Sequence, residues 1–369
     1  MLLVKLLGSQ GPERGRLLSY LARRYARLGL MQRALDTHLD ALELAPDDPR
    51  VLRSTGLVKF GEGSWAEGLA LYDAGRWQLG EFNKLRRDFP HPEWAGQSID
   101  GKRLLLWAEQ GIGDQVMQAR VLGPLLAAGA NITLESDPRL HPLVQRRWPQ
   151  IQVATQTLEL PTALVDGPFD FHGSLLSAWR WAALEAPQSS YLTARQSMID
   201  AFRNAWAEQG WRINVGLSWR SKAKENGSKR SIPEAFLQPL VQRHDLTFHS
   251  LQYDADVDEI ARLSKTLGRP VYLDRGSKPL KDIDRLAAQI SALDLVISVD
   301  NSTVHLAGAV GTPCWVMLPA GQDWRWPVSG RTTALYDCLR LFRNTQVHHW
   351  GGLVADVAEA LEEWVRDQI

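Results

Sequence analysis

Apolar positions recur at helical spacing through the first 95 residues and then give way to short continuous apolar runs. Leu17, Leu18, Leu21, Tyr25 and Leu28 form one stripe. After a break at Gly29, a second stripe runs through Ala34, Leu35, His38, Leu39, Ala41 and Leu42, and it stops at Pro46-Asp47-Asp48-Pro49. The small and large positions Leu18, Leu21, Ala22, Tyr25, Gly29, Ala34, Ala41 and Pro46 fit one helix–turn–helix repeat of about 34 residues starting near Gly15. Gly56, Gly63, Trp65, Gly68, Tyr72 and Gly75 echo it more weakly in the next stretch. Two such units are too few for a free-standing solenoid, so they are expected to dock on the rest of the chain. A plain helical hairpin covering a core would leave the same pattern.

From Lys102 the period changes. LLLWAE (104–109) predicts a buried strand, QVMQARVLGPLLAAGA (115–130) the helix after it, NITLES (131–136) the next strand, 137–149 a short helix and IQVAT (151–155) a third strand. A second series starts at INVGLSW (213–219) and continues with LTFHSLQ (246–252), PVYLD (270–274), LDLVISVD (293–300) and CWVMLP (314–319). Helices are expected at 281–292, 305–310 and 354–369, with a hinge near 190–212. Strands alternating with helices imply parallel sheets. The expected division is a helical region at 1–98, one α/β domain at 99–195 and a second at 196–369.

Composition changes this picture little. The chain has 369 residues, too many for one ordinary core. Its 42 basic and 42 acidic residues cancel, which argues against a general nucleic-acid or anionic-membrane binder. No apolar run approaches the roughly 18 to 20 residues of a membrane span, and the N-terminus lacks the basic and apolar regions of a signal peptide. Only Cys314 and Cys338 are present, which excludes a disulfide framework and fits a reducing compartment. A cytoplasmic location, including a peripheral one at the inner membrane, is the expectation. Some of the 15 tryptophans are candidates for stacking on sugars or bases, Trp324 among them.

Three stretches carry candidate chemistry. WAEQGIGDQV holds Gly111, Gly113, Asp114 and Gln115 at the end of a strand. A dinucleotide loop would need a third glycine where Val116 stands, although Glu135 sits where a ribose ligand would. Asp114 in a first helical turn is either an N-terminal cap or a general base facing a cleft. In SVDNSTVHLAGAVGTP (298–313), a strand delivers Asp300 to its carboxyl end, and Asn301, Ser302, Thr303 and His305 open a helix whose N–H groups and hydroxyls suit a pyrophosphate. Capping and packing would use the same residues. WRSKAKENGSKRSIP (219–233) follows Ser218 and places Lys222, Lys224, Lys229 and Arg230 around Asn226-Gly227, a loop able to fold over phosphates. Gln252 ends the next strand, within reach of a base or ribose. DADVD (254–258) and DID (282–284) read as helix starts rather than metal sites, and no P-loop or G-x-S-x-G elbow occurs.

Together, WAEQGIGDQV, GLSW with KRSIP, the Asp300-to-Pro313 stretch and PAGQDWRW (319–326) resemble bacterial tetratricopeptide-repeat proteins with a glycosyltransferase domain of GT-B fold, akin to lipopolysaccharide heptosyltransferases of glycosyltransferase family 9. The resemblance covers nearly the whole chain. It implies an α/β protein, a GT-B-like pair of Rossmann-like domains with an N-terminal α-helical cap. It implies a nucleotide-sugar held mainly by the second domain, an inverting transfer, and no metal or other cofactor. Asp114 matches the family's base; Asp300 matches the aspartate near the donor sugar; Ser302, Thr303 and His305 match the phosphate-binding helix start. Lys222 or Arg230 matches the basic loop. The family has Thr or Ser where Asn301 stands. The acceptor would be a glycan, lipid or protein, engaged in part through the cap.

Other functions fit parts of the pattern. A non-catalytic scaffold would use the repeats to recruit a partner over a degenerate core. A nucleotide-sugar epimerase shares the fold but not the helical cap. An NAD-dependent oxidoreductase is disfavoured by Val116.

Overall fold

A computed structural model describes residues 8–83, 86–182, 190–223, 227–276, 281–321, 323–347 and 349–368. Four helices open it: α1 (Gly11–Arg27), α2 (Met31–Leu44), α3 (Pro49–Gly61) and α4 (Trp65–Arg76). They pack as two hairpins, α1 on α2 and α3 on α4. Asp48 starts α3 by accepting from Arg50 N (3.0 Å) and Val51 N (3.2 Å), with Pro49 in the first turn where no N–H is needed.

Glycine sets the spacing of the second hairpin. A Cβ on Gly56 would stand 2.6 Å from the Gly68 carbonyl oxygen and 2.6 Å from the Tyr72 nitrogen. Both obstacles are backbone, so the helices would have to part. Gly56→Ala is therefore expected to cost about 1–3 kcal/mol, more than the helix propensity gained. Urea denaturation checks this, and an unchanged midpoint would mean the hairpin has slack.

Two parallel sheets follow. The first contains β1 (Arg103–Trp107), β2 (Asn131–Ser136), β3 (Gln152–Thr155) and β4 (Phe171–Ser174) in the order β3-β2-β1-β4. Its named helices are α5 (Ile112–Gln118), α6 (Leu122–Ala127) and α7 (His141–Arg147). The second contains β5 (Ile213–Ser218), β6 (Leu246–Ser250), β7 (Val271–Leu273), β8 (Leu295–Val299), β9 (Cys314–Leu318) and β10 (Leu339–Arg343), in the order β10-β9-β8-β5-β6-β7. With it go α8 (Gln196–Glu208), α9 (Val257–Leu267), α10 (Ile283–Ala292), α11 (Ser302–Val310) and α12 (Gly351–Arg366). This is an α/β fold of two Rossmann-like sheets with a helical N-terminal region. Strands β8 and β9 are buried throughout, which is why they read as continuous apolar runs. Among the described residues no helix is long and apolar enough to cross a membrane.

Two local expectations needed correction. The helix expected over 115–130 is broken: α5 ends at Gln118, a 3-10 turn covers Ala119–Val121, and α6 starts at Leu122. Pro124 has no N–H to give the Arg120 carbonyl, so it belongs in a first turn. Strands β4 (FHGS) and β10 (LRLFR) were not anticipated, because His, Gly and Arg interrupt their apolar runs.

The helical region docks by charge and by aromatic packing. Arg76 of α4 is 1% exposed and meets Glu109 just past β1. It also bonds Asp73 at 2.7 Å and the hydroxyls of Ser177 (3.0 Å) and Ser174 (3.3 Å). Burial alone would lower its pKa, but Glu109 and Asp73 outweigh that and raise it. Arg87 pairs in the same way with Glu135, which is fully buried at the end of β2. Glu135 is therefore unavailable to a ribose, which removes the acidic residue a dinucleotide site would need.

Candidate active site

The carboxyl ends of the second sheet build one wall of a cleft. Strand β8 delivers Asp300, and Asn301 then turns the chain into α11 as its N-cap. Asn301 Oδ1 accepts from Thr303 N (2.9 Å), while its Nδ2 donates to Ser218 Oγ (2.8 Å) and the Arg220 carbonyl (3.1 Å). Gln252 continues this network: Oε1 accepts from Arg220 N (3.1 Å), and Nε2 donates to Asp254 Oδ1 (2.8 Å). The network ties the loop after β5 to the start of α11.

The other wall comes from the turn after β1. Gln110 has φ 68° there, alone among described non-glycine residues in the left-handed region. Gly111 and Gly113 have ordinary backbone angles, so conformational freedom is not their use. A Cβ on Gly113 would lie 3.1 Å from Ser302 Cα and Cβ and 3.5 Å from His305 Cδ2. The second glycine of GIGD thus lets α5 cross close over α11, joining the two sheets. Asp114, one residue on, faces the cleft.

Between the walls runs a relay of alternating charge. Arg325 donates from Nε (2.9 Å) and Nη2 to Asp114 Oδ1, and from Nη1 to Asp323. Arg230 donates to Asp323 at 2.7 Å, and its other Nη lies 3.2 Å from Asp300 Oδ2. Three carboxylates and two guanidiniums thus share one part of the cleft. Burial pushes the Asp300 carboxyl up, with Arg230 opposing. Burial also acts on Asp323, but Arg325 and Arg230 overcome it and bring it below its ordinary value. Burial opposes the Arg325 charge, and Asp114, Asp323 and Asp300 more than restore it. Buried His305 is lowered to about 3, first by desolvation and then by Arg325. Its imidazole is neutral, held by Tyr336 Oη at 3.1 Å and stacked on Trp326 at 5.7 Å. It can give a hydrogen bond to an anion, but not a charge.

The cleft has a volume of about 330 Å³, within the range of small-ligand sites. Of the candidate residues, Gly111, Gly113, Asp114, Lys222, Arg230, Asp300, Asn301, Ser302 and His305 line it. Lys222 is exposed and reaches Asp254 at 2.6 Å, and this contact raises its pKa. Five expected ligand residues do not line the cleft. Ser218, Gln252 and Thr303 are buried behind its wall, the first two inside the network just described. Gln115 turns away, accepting from Asp137 N at 2.9 Å and donating to the Gln110 carbonyl at 3.3 Å. Trp324 points to the helical region, 4.9 Å from the Phe60 ring and 6.3 Å from Trp65. Lys229 is exposed outside the cleft, and Lys224 and Asn226 lie outside the described residues.

The residues not anticipated are Arg325, Asp323, Arg139 and Tyr253. Asp323 and Arg325 flank Trp324 in QDWRW, inside a stretch that carried the resemblance without a role being read for either. Their loop is held by the helical region: Val328 N donates to the Gly61 carbonyl (3.2 Å), and Gly321 approaches the carbonyls of Ala26 and Arg27. Among the described residues, no group of three or more His, Cys, Asp or Glu side chains could hold a metal ion.

No family model matches the chain. A curated relative, Protein FlbA of Caulobacter vibrioides, is 29% identical over 378 residues, covering 94% of this chain and 61% of that protein. The chain thus spans about three fifths of the length of the curated relative it matches. Among solved structures, a glycosyl transferase family 9 protein from Veillonella parvula superposes with a TM-score of 0.51 at 12% identity, over 73% of this chain and 97% of that one. ADP-heptose lipopolysaccharide heptosyltransferase II of Escherichia coli gives 0.50 at 15% identity, over 72% and 99%. At these identities the likeness is one of fold, and the fold is the GT-B-like pair of Rossmann-like domains these glycosyltransferases have.

Proposed function

We propose that the chain transfers a sugar from a nucleoside-diphosphate sugar to a macromolecular acceptor, with inversion at the anomeric carbon and Asp114 as general base. One observation carries the reading. A carboxylate on the first domain and two guanidiniums on the second face one cleft, beside the Asn301-capped helix start at Ser302. The Escherichia coli protein's name includes ADP-heptose, and we carry over only the donor class, a nucleoside diphosphate joined to a sugar.

In this mechanism the diphosphate lies against Ser302, His305, Arg230 and Arg325. It competes with Asp114 for Arg325, whose two hydrogen bonds both go to Oδ1, and so relieves the carboxylate of a cation that opposes its taking a proton from the acceptor hydroxyl. Asp114 takes the hydroxyl proton as the new oxygen–carbon bond forms. The bond from the anomeric carbon to the phosphate oxygen breaks, and its electron pair leaves with the diphosphate. Arg230 and Arg325 stabilise the charge that develops there, with no metal invoked. Attack from the face opposite the leaving group inverts the configuration. The paired hairpins suit a tetratricopeptide-like cap, and we assign them to the acceptor, since they hold the loop that carries Arg325.

Calorimetry with a panel of nucleoside diphosphates and their sugars tests the donor site. One nucleotide should bind, and Arg230→Ala should weaken it by roughly 30-fold or more through loss of a buried charge contact. Folded protein that binds nothing in the panel would favour the scaffold reading, with function in the helical region.

A further inference from the structure

Helix α10 stands between two cavities. Ile283 and Leu286 face the cleft described above, while Arg285 and Gln289 face a second cavity of about 330 Å³ on the other side. Three aromatic side chains of α8 and the loop after it, Phe202, Trp206 and Trp211, line that cavity together with His249 of β6 and Tyr272 of β7. Nothing in the transfer mechanism uses it.

Its polar side has an unusual member. Gln289 is 2% exposed and lines the cavity, yet its amide has no hydrogen-bond partner among the described residues. The amide is not sealed in protein: it opens onto the cavity, so whatever enters there, water or a ligand, meets a donor and an acceptor with no protein partner. Beside it, Asp274 and Arg285 pair at 2.6 and 2.9 Å and cancel each other's charge. His249 donates to or accepts from Asn214 Oδ1 at 2.9 Å, and burial lowers its pKa to about 4, leaving it neutral. The cavity therefore offers no net charge to a phosphate or carboxylate.

The aromatic walls narrow the choice further. Trp211 and Tyr272 have centroids 4.2 Å apart at 40°, and Trp206 and His249 are 4.3 Å apart at 35°. These rings form an open trough. A flat base sandwiched on both faces would need parallel walls. A sugar ring is puckered, with one face of C–H groups that lies on the negative face of an aromatic ring and a rim of hydroxyls that needs an amide or a charged pair. Tyr272 is 37% exposed and Trp211 is half-buried, so the trough is open to solvent.

We propose that this cavity is a saccharide-binding subsite that takes one neutral sugar ring, stacked on Trp211 and Tyr272 and hydrogen-bonded to Gln289 and the Asp274–Arg285 pair. It lies one helix away from the transfer cleft, in position for a neighbouring unit of a glycan.

The test uses the whole chain and methyl glycosides of common hexoses, deoxyhexoses and N-acetylhexosamines, with adenosine as the flat competitor. Indole N–H resonances of Trp206 and Trp211, assigned with Trp→Phe variants, report the cavity directly. At least one glycoside should shift them saturably, and Gln289→Leu should weaken that binding by on the order of 10-fold. Trp211→Ala serves as a second variant. Cooperative unfolding and nucleoside diphosphate binding should hold in both, with a lower thermal midpoint for Trp211→Ala because its ring packs on His249 and Tyr272, which separates this site from the cleft. Silence of the whole panel, binding unaffected by either variant, or adenosine binding in place of sugar would each overturn the assignment.

Discussion

Asp114→Asn is expected to lower the rate of sugar transfer by about 10²–10⁴-fold, the usual share of a general base, while nucleoside diphosphate affinity stays within a few-fold. The amide keeps the shape of the side chain and one acceptor oxygen for Arg325, so the cleft should hold together. What it loses is the ability to take a proton. Single-turnover transfer assays and calorimetry on the same variant separate these effects. Equal loss of transfer and of nucleotide binding would assign Asp114 to the donor site. A fully active variant would remove it from the chemistry altogether. Asp114 is already engaged by Arg325 without substrate, so the transfer reading also expects donor to bind before acceptor. Initial-rate patterns with a dead-end donor analogue would expose the opposite order.

The largest loss of stability is expected from Arg76→Met. This change leaves Glu109 5% exposed without its guanidinium and removes the partner of Asp73. Breaking one side of a buried ion cluster costs about 3–5 kcal/mol. The double variant with Glu109→Gln should recover part of it, because the stranded charge is then gone. Chemical denaturation of both variants checks the sign and the recovery. A single variant within about 1 kcal/mol of wild type would mean the cluster contributes nothing net, as some buried pairs do. The result bears on function as well as folding. Arg76 meets Glu109 and Ser174 just beyond β1 and at the end of β4, and Arg87 meets Glu135 at the end of β2. Open α/β sheets take ligands at these carboxyl ends. Here the helical region fills that edge of the first sheet and leaves the Gly111–Asp114 side open to the cleft.

Much of the fold could be read along the chain. Buried parallel strands such as LVISV and CWVML are continuous apolar runs because both faces are covered, and helices show their stripes for the converse reason. Strand β4 could not be read so, because its sequence FHGS has polar and small residues whose burial depends on neighbours. His172 is buried there beneath Trp107, whose Nε1 lies 3.3 Å away. The turn residues of the site were legible for a related reason: Asp114 and Asp300 follow strong strands, and strand ends are where ligands lie.

Which polar groups face the cleft was a different kind of question. Ser218, Gln252, Gln115 and Asn301 have side chains able to serve either a ligand or the protein, and only their neighbours in space decide. Three of them spend their hydrogen bonds behind the wall, and Asn301 uses its amide to hold the helix start. Arg325 pairs with Asp114 across 211 residues, a separation at which no local spacing carries information. Gly113 gave the clearest reversal, a turn residue by its sequence and an interdomain contact by its surroundings. The sequence by itself determined the elements, their parallel alternation and the strand ends that bear the candidate chemistry, since these follow from period and local propensity. The tertiary structure alone decided which of those side chains meet, because hydrogen bonds and ion pairs between distant segments are set by packing.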